Sequence, residues 1–147
     1  MTNAEVVREY IAAQIALDLD GLSRLRHPDW VARWPQSGEV VRGDANMRQI
    51  IERYPGGAPR LTTGRLIGSE DRWATSPVGG AYRVAGEGDS WFADYMITYP
   101  DGREWFTTIL MEIRDGLIYR ETEYWSEPFD PPAWRLEWVE PLAKDNS

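Results

Sequence analysis

Residues 116–129 read GLIYRETEYWSEPF. Apolar, aromatic and charged positions alternate there with the period of a β-strand, whose successive side chains point to opposite faces. Glu121, Glu123 and Trp125 therefore share one face, and Arg120, Thr122 and Tyr124 share the other. Which face turns inward decides how the sheet is built, and whether two carboxylates or none enter the interior.

The segments just upstream form two hairpins that set the register. In YPDGR (99–103), proline at the second turn position and glycine at the fourth fit a type I turn closed by a left-handed glycine bulge. That loop puts Tyr99 opposite Arg103, Ile97 opposite Trp105, Tyr95 opposite Thr107 and Trp91 opposite Met111. Read the same way, IRDGL (113–117) puts Ile113 opposite Leu117, Ile109 opposite Glu121, Thr107 opposite Glu123 and Trp105 opposite Trp125. A two-residue Asp-Gly loop would slip the register by one and exchange the faces. One face then carries Trp91, Tyr95, Ile97, Trp105, Thr107, Ile109, Met111, Glu121, Glu123 and Trp125; the other carries Phe92, Asp94, Met96, Phe106, Leu110, Glu112, Arg120 and Tyr124. Both hold large apolar groups. One packs under helices, and the other is expected to meet a second sheet or a homodimer partner.

Helices come first in the chain. Thr2 and Glu5 have capping-box spacing, with Asn3 an equal candidate for the cap, and Val7, Tyr10, Ile11, Gln14 and Leu17 follow at helical spacing. DLDG (18–21) ends that helix, and LSRLRHPDW (22–30) reads as a short second one stopped before Pro28. VARWPQSGEVVRG (31–43) gives two extended pieces around a turn. Asp44 then caps a third helix with an apolar stripe of Met47, Ile50, Ile51 and Tyr54. Strands follow: one long or two short over 61–75, a glycine-rich stretch over 76–90, and three clear strands at about 90–99, 103–113 and 117–127. Helices followed by a meandering antiparallel sheet define an α+β domain. The tail from 128 to 147 is an extension beyond it, in which Trp134 and Trp138 are spaced to lay one aromatic face on the body of the protein. The alternative is a lid or a dimer arm.

Composition narrows the function. The 147 residues, 42% of them hydrophobic, suffice for one domain with a real core. The absence of cysteine rules out a disulfide framework, a thiolate metal site and a cysteine nucleophile, and the single histidine, His27, rules out a multi-histidine metal centre. No metal and no cofactor is expected. A net charge of −8 argues against nucleic acid and against an anionic membrane surface as partners. The N-terminus lacks a signal-peptide pattern, and no apolar run is long enough to span a bilayer, so a soluble cytoplasmic protein is expected. Eight tryptophans and seven tyrosines serve either a core of large aromatics or a pocket for an apolar or ring-shaped ligand.

VVREYIAAQIALDLDGL (6–22) resembles the first helix of ketosteroid isomerases, and DGLIYRETEYWSEP (115–128) resembles their last strand. The order of three helices and then a sheet, over about residues 4–127, resembles the SnoaL-like, ketosteroid isomerase-like branch of the nuclear transport factor 2-like superfamily. The resemblance implies a cone-shaped fold, three N-terminal helices on a curved antiparallel sheet, with an internal pocket. The ketosteroid isomerases use an aspartate base with a tyrosine and a protonated aspartate as oxyanion hole. The tyrosine corresponds to Tyr10, the base position to Trp34 before Pro35, and the oxyanion aspartate to Ile109. Steroid isomerisation by that mechanism is therefore not expected. The last-strand positions that line the family's pocket correspond to Glu121, Glu123 and Trp125.

These readings converge on a small-molecule-binding protein with an aromatic pocket for a largely apolar, ring-containing ligand. Glu121, Glu123 and Tyr10 are the candidate catalytic groups of a lyase, isomerase or hydrolase; Trp34, Tyr54, Trp91, Tyr95, Trp105, Ile109 and Trp125 are the candidate binding groups. Carboxylates among aromatics would have raised pKa values, one more than the other. The Tyr10 hydroxyl would donate to a ligand oxygen. Glu39 is expected exposed at a strand start, with the pocket mouth as its alternative, and His27 at a helix end. A non-catalytic binding module or a dimerisation domain with a filled core is the alternative.

Overall fold

A computed structural model of the chain describes residues 1–62, 73–75 and 81–141. The first helix, α1 (Asn3–Ala16), starts at the capping box: Glu5 N–H donates to Thr2 Oγ1 (3.2 Å) and Thr2 N–H to Glu5 Oε2 (2.6 Å). Leu17, in the left-handed conformation, ends it, and Asp18 immediately caps α2 (Leu19–Leu25) by accepting from Gly21 N–H. The second helix thus begins inside DLDG and stops at Leu25.

The next segment departs from expectation. Arg26–Trp34 is a strand, β1, and not the end of a helix. Proline has no N–H to give a ladder, and Pro28 sits where β1 pairs with nothing on its long neighbour, between the Arg26↔Ile118 and Val31↔Arg120 pairs. His27 accordingly lies in a strand, its ring edge-on to Tyr119 at 5.6 Å. A turn leads to β2 (Glu39–Arg42) and then α3 (Asp44–Glu52). The cap position of α3 is Gly43, at φ 82°, rather than Asp44, whose carboxylate is engaged elsewhere. Met47 is buried on the inner side of α3, with Ile50 and Ile51 half-buried beside it.

The remaining strands are β3 (Arg60–Thr62), β4 (Trp73–Thr75), β5 (Ala81–Glu87), β6 (Ser90–Thr98), β7 (Glu104–Arg114) and β8 (Leu117–Ser126). The expected strand content over 61–75 corresponds to β3 and β4; residues 63–72 and 76–80 lie outside the described residues. The sheet order is β2-β1-β8-β7-β6-β5-β4, with β3 on the part of β6 that β5 leaves uncovered. Because β1 runs parallel to β8, the sheet is mixed and not wholly antiparallel. A fourth helix, a 3₁₀ helix at Ala133–Trp138, follows the sheet. Trp134 and Trp138 are each 73% exposed, so the expected aromatic face is not laid on the domain. Three residues per turn do not superimpose positions four apart.

The first hairpin has the expected register residue for residue, from Ile97↔Trp105 to Trp91↔Met111. The second does not. Asp115 and Gly116, at φ 52° and 72°, form a two-residue turn with Arg114 opposite Leu117, as the primed hairpin turns require. That slip of one would exchange the faces, but Tyr119 is bulged between the Ile113↔Ile118 and Glu112↔Arg120 pairs and slips the register once more. Met111 therefore faces Glu121, Ile109 faces Glu123, and Thr107 faces Trp125, a total shift of two. A shift of two preserves the faces. Tyr95, Ile97, Thr107, Ile109, Met111, Glu121 and Glu123 are all buried beneath the helices, while Phe106, Leu110 and Tyr124 are exposed on the other side.

Candidate functional site

The inner face of the sheet and the three α-helices enclose a cavity of about 400 Å³, within the range of small-molecule sites. Its walls are apolar and aromatic. Trp34, Tyr95, Ile97, Tyr99, Trp105 and Trp125 come from the strands and the hairpin loop, and Leu17, Leu22, Met47, Ile50, Ile51 and Tyr54 from the helical side. The aromatic groups brace one another: Trp34 on Trp125 (ring centroids 5.4 Å apart), Tyr99 on Trp105 (6.1 Å), and the Tyr54 and Tyr99 hydroxyls 3.3 Å apart. Gln36, in the turn after β1, completes the frame, because its amide clasps the Trp125 backbone at both O (2.6 Å) and N (2.5 Å).

Burial deepens along β8 from the half-buried Trp125 to Glu123 (8% exposed) and Glu121 (0%). Glu121 Oε1 accepts from the Tyr10 hydroxyl and from Trp30 Nε1 (3.1 Å). The Tyr10 oxygen in turn accepts from Arg26 Nε (2.8 Å), and Arg26 Nη1 donates to Asp44 Oδ1 (2.7 Å). The guanidinium lies over the Trp30 ring at 3.9 Å. Asp44 also accepts from Ser23 Oγ (2.6 Å) and pairs with Arg48 (3.8 Å). A continuous polar chain thus runs from the carboxylates through Tyr10 and Arg26 to the start of α3.

Burial pushes the Tyr10 hydroxyl's pKa well up, and neighbouring Glu121 pushes it further against the pull of Arg26, so Tyr10 stays a donor. Burial also opposes the charge on Arg26, but Tyr10, Glu121 and Asp44 outweigh it and raise its pKa. For Asp44, burial favours the neutral acid, yet Ser23 and Arg26 hold its pKa below the usual carboxylate value. Glu123 moves the other way. Burial first, then the adjacent Glu121, lift its pKa well above the ordinary value, against Arg26 and the nearby Trp34 N–H. Glu121 Oε2, buried beside it, has no hydrogen-bond partner among the described residues. The Trp34 and Trp105 indole N–H groups, although buried, also have none there.

The cavity therefore gathers Glu121, Glu123, Trp34, Tyr54, Tyr95, Trp105 and Trp125. It does not gather Tyr10, Ile109 or Trp91. Tyr10 is 0% exposed and spends its hydroxyl on Glu121, so the expected donation to a ligand is taken up inside the protein. Ile109 is 0% exposed behind Glu123, and Trp91 turns its N–H to Gly88 O (2.9 Å). Glu39 does reach the cavity rim. His27 lies apart from it, 3.4 Å from Asp115. Arg26, Trp30 and Asp44 were not singled out by the sequence reading. The signal was present in RHPDWVARW, where Trp30, Ala32 and Trp34 alternate as one strand face. Among the described residues no group of histidine, aspartate and glutamate side chains is arranged to hold a metal ion, and no helix is long and apolar enough to cross a membrane.

Residues 7–121 match the SnoaL-like domain, and the chain belongs to that family, within the nuclear transport factor 2-like superfamily. Among solved structures it is similar to an NTF-2 like protein of unknown function from Burkholderia xenovorans LB400, with 30% identity, 96% of this chain and 95% of that one covered, and a TM-score of 0.70. It is also similar to a putative ketosteroid isomerase from Kribbella flavida DSM 17836 (23% identity, 98% and 93% covered, TM-score 0.74). A third is a putative polyketide cyclase from Pseudomonas putida KT2440 (21%, 84% and 91%, 0.60). The last two show the fold alone. No curated protein matches the sequence.

Proposed function

We propose that the protein binds a small, largely apolar, ring-containing molecule in the aromatic cavity of a cone-like fold, and that Glu123 is its acid–base group. The observation that carries this reading is the pair of adjacent carboxyl groups at the deep end of an apolar cavity, one tied down and the other not. Glu121 is immobilised by Tyr10 and Trp30, whereas Glu123 lines the cavity beside it, next to the Trp34 N–H. A carboxylic acid whose pKa is raised by burial is able to donate a proton to a ligand, and its conjugate base to take one back. Tyr10 then acts as a positioning residue that holds Glu121. Intrinsic tryptophan fluorescence, with Trp34, Trp105 and Trp125 in the walls, tests occupancy against steroids, aromatic polyketides and terpenoid epoxides, with product analysis alongside. Glu123→Gln should keep binding and abolish turnover. Binding without turnover by the unaltered protein would favour a non-catalytic binding module, and no binding across the set would sink the reading.

The exposed sheet face supports a second element. Phe106, Leu110 and Tyr124 are 41%, 46% and 42% exposed side by side, and we propose that this face joins two copies. The SnoaL-like unit is taken to run over residues 1–127, with 128–147 as an extension available as a lid or arm. Sedimentation at micromolar concentration would show a dimer.

A further inference from the structure

We infer that the ligand of this cavity carries a positive charge, an ammonium group on or beside a ring, which sits in the aromatic walls against the Glu121–Glu123 pair and displaces one proton from Glu123 on binding. The inference rests on the small-molecule site proposed above and names the chemical class that site takes.

Two features of the geometry lead to it. First, cations are attracted to the faces of tryptophan and tyrosine, and Trp34, Tyr54, Tyr99, Trp105 and Trp125 surround the space above the carboxyl groups. Second, the charged groups at the cavity favour a cation. Glu39 of β2, Asp44 of α3 and Glu121 of β8 line it, and Glu123, neutral until a ligand binds, adds a fourth carboxyl group; facing them among the described residues are Arg26 of β1 and Arg48 of α3. Neither arginine is free to repel a cation or capture an anion. Arg26 is spent on Asp44 and Tyr10 and stacked on Trp30, and Arg48 is held by Asp20 at 2.7 Å and Ser23 at 2.9 Å.

The groups facing Glu123 also prepare it to ionise. The burial itself and Glu121 on its own strand hold it neutral in the empty cavity, while Arg26 and the nearby Trp34 N–H of β1 favour its anion; Tyr95 of β6 faces it as a phenol whose own pKa is raised by burial and by Glu123. Tyr10 of α1 is committed to Glu121. A bound cation adds the missing favourable charge, Glu123 gives its proton to solvent, and the Trp34 N–H gains an anion to donate to. The balance is one ligand cation taken up and one proton released.

Phenyltrimethylammonium, which has no proton of its own, and tert-butylbenzene, its uncharged counterpart of the same shape, separate the possibilities. Titrated against the full chain by tryptophan fluorescence at pH 8, phenyltrimethylammonium should bind at least about tenfold more tightly, the size of a desolvated cation–π contribution. Calorimetry in phosphate and in Tris, repeated across pH, should give a buffer-dependent enthalpy from proton release, absent in Glu123→Gln. Trp34→Phe, which keeps a ring and removes the N–H, should still bind the ion but move the pH midpoint of binding upward. Equal or tighter binding of tert-butylbenzene, or no proton release, would overturn the charge assignment and leave the cavity an apolar site. Failure of both compounds to bind would overturn it too; only the further failure of the steroid, polyketide and epoxide set would also remove the binding function.

Discussion

Replacing Arg26 with methionine keeps most of the side-chain length and removes the cation that joins Tyr10 to Asp44 in the buried polar chain. Arg26 is 8% exposed; it loses its bond to Asp44 (2.7 Å), its bond to Tyr10 (2.8 Å) and its contact with the Trp30 ring (3.9 Å). Breaking a buried pair from one side costs about 3–5 kcal/mol. Asp44 softens that figure, because its side chain is 29% exposed and keeps Ser23 and Arg48 as partners. Methionine also retains the apolar packing on Trp30, though not the cation–π part of about 0.5–2 kcal/mol. The net expectation is a loss of about 3 kcal/mol. For a chain of this size each kcal/mol moves the Tm by about 2–4 °C, so melting should fall by about 6–12 °C. Urea unfolding followed by tryptophan fluorescence measures the first number, and far-UV circular dichroism on heating the second. Tyr10→Phe should cost less, about 1–2 kcal/mol, since its hydroxyl's bonds to Glu121 and Arg26 are lost while Glu121 keeps Trp30 and Arg26 keeps Asp44. The double variant should fall short of the sum because the two residues bond each other. A loss under about 1 kcal/mol for Arg26→Met, with an unchanged m-value, would show the guanidinium to be solvated and would refute the buried chain.

Three further outcomes are expected. The folded pKa of Glu123 lies above its unfolded value, so its contribution to stability is fully present below the unfolded value and is lost as pH rises through the folded one. The slope is up to about 1.4 kcal/mol per pH unit for one proton; Glu123→Gln should flatten it in denaturation curves, and an unchanged curve would place Glu123 in solvent. Leu110→Glu, a charge on the exposed face, should shift sedimentation toward the monomer, and a wild-type protein that is monomeric at micromolar concentration would count against the interface. With Trp34 and Ile109 where a ketosteroid isomerase carries its carboxylates, isomerisation of a simple 3-oxo-steroid should not exceed the buffer rate; a clear rate lost in Tyr10→Phe would show another route.

How much of this was legible in the residues differs from one element to the next. The capping box, the stripe of α3 and the first hairpin depend on neighbours within a few positions, and each could be read from spacing alone. The second hairpin was misread by two residues and its faces were still right. Spacing reports the parity of side chains strongly and the absolute pairing weakly, because any even shift along β8 leaves Glu121, Glu123 and Trp125 on the same face. The two-residue turn and the Tyr119 bulge are each a step of one, and only together do they keep Glu121 and Glu123 inside. A chain with the turn but not the bulge would bury Arg120, Thr122 and Tyr124 and present the carboxyl groups to water.

Arg26 was missed for a related reason. Read as the end of a helix, RHPDW offers a charged residue beside a histidine and a proline, all suited to solvent. Read as a strand that pairs with the distant β8, Arg26 opposite Ile118, the same arginine faces inward over Trp30 toward Tyr10 and Asp44. No local pattern contains that pairing, since the cation is tolerable inside only because a tyrosine from α1, a carboxylate from α3 and another from β8 arrive around it. The site is in this sense assembled by topology: β1 is laid parallel against the last strand, and the one residue of the short second-helix segment that a local reading assigns to water becomes the charge on which the buried glutamates depend.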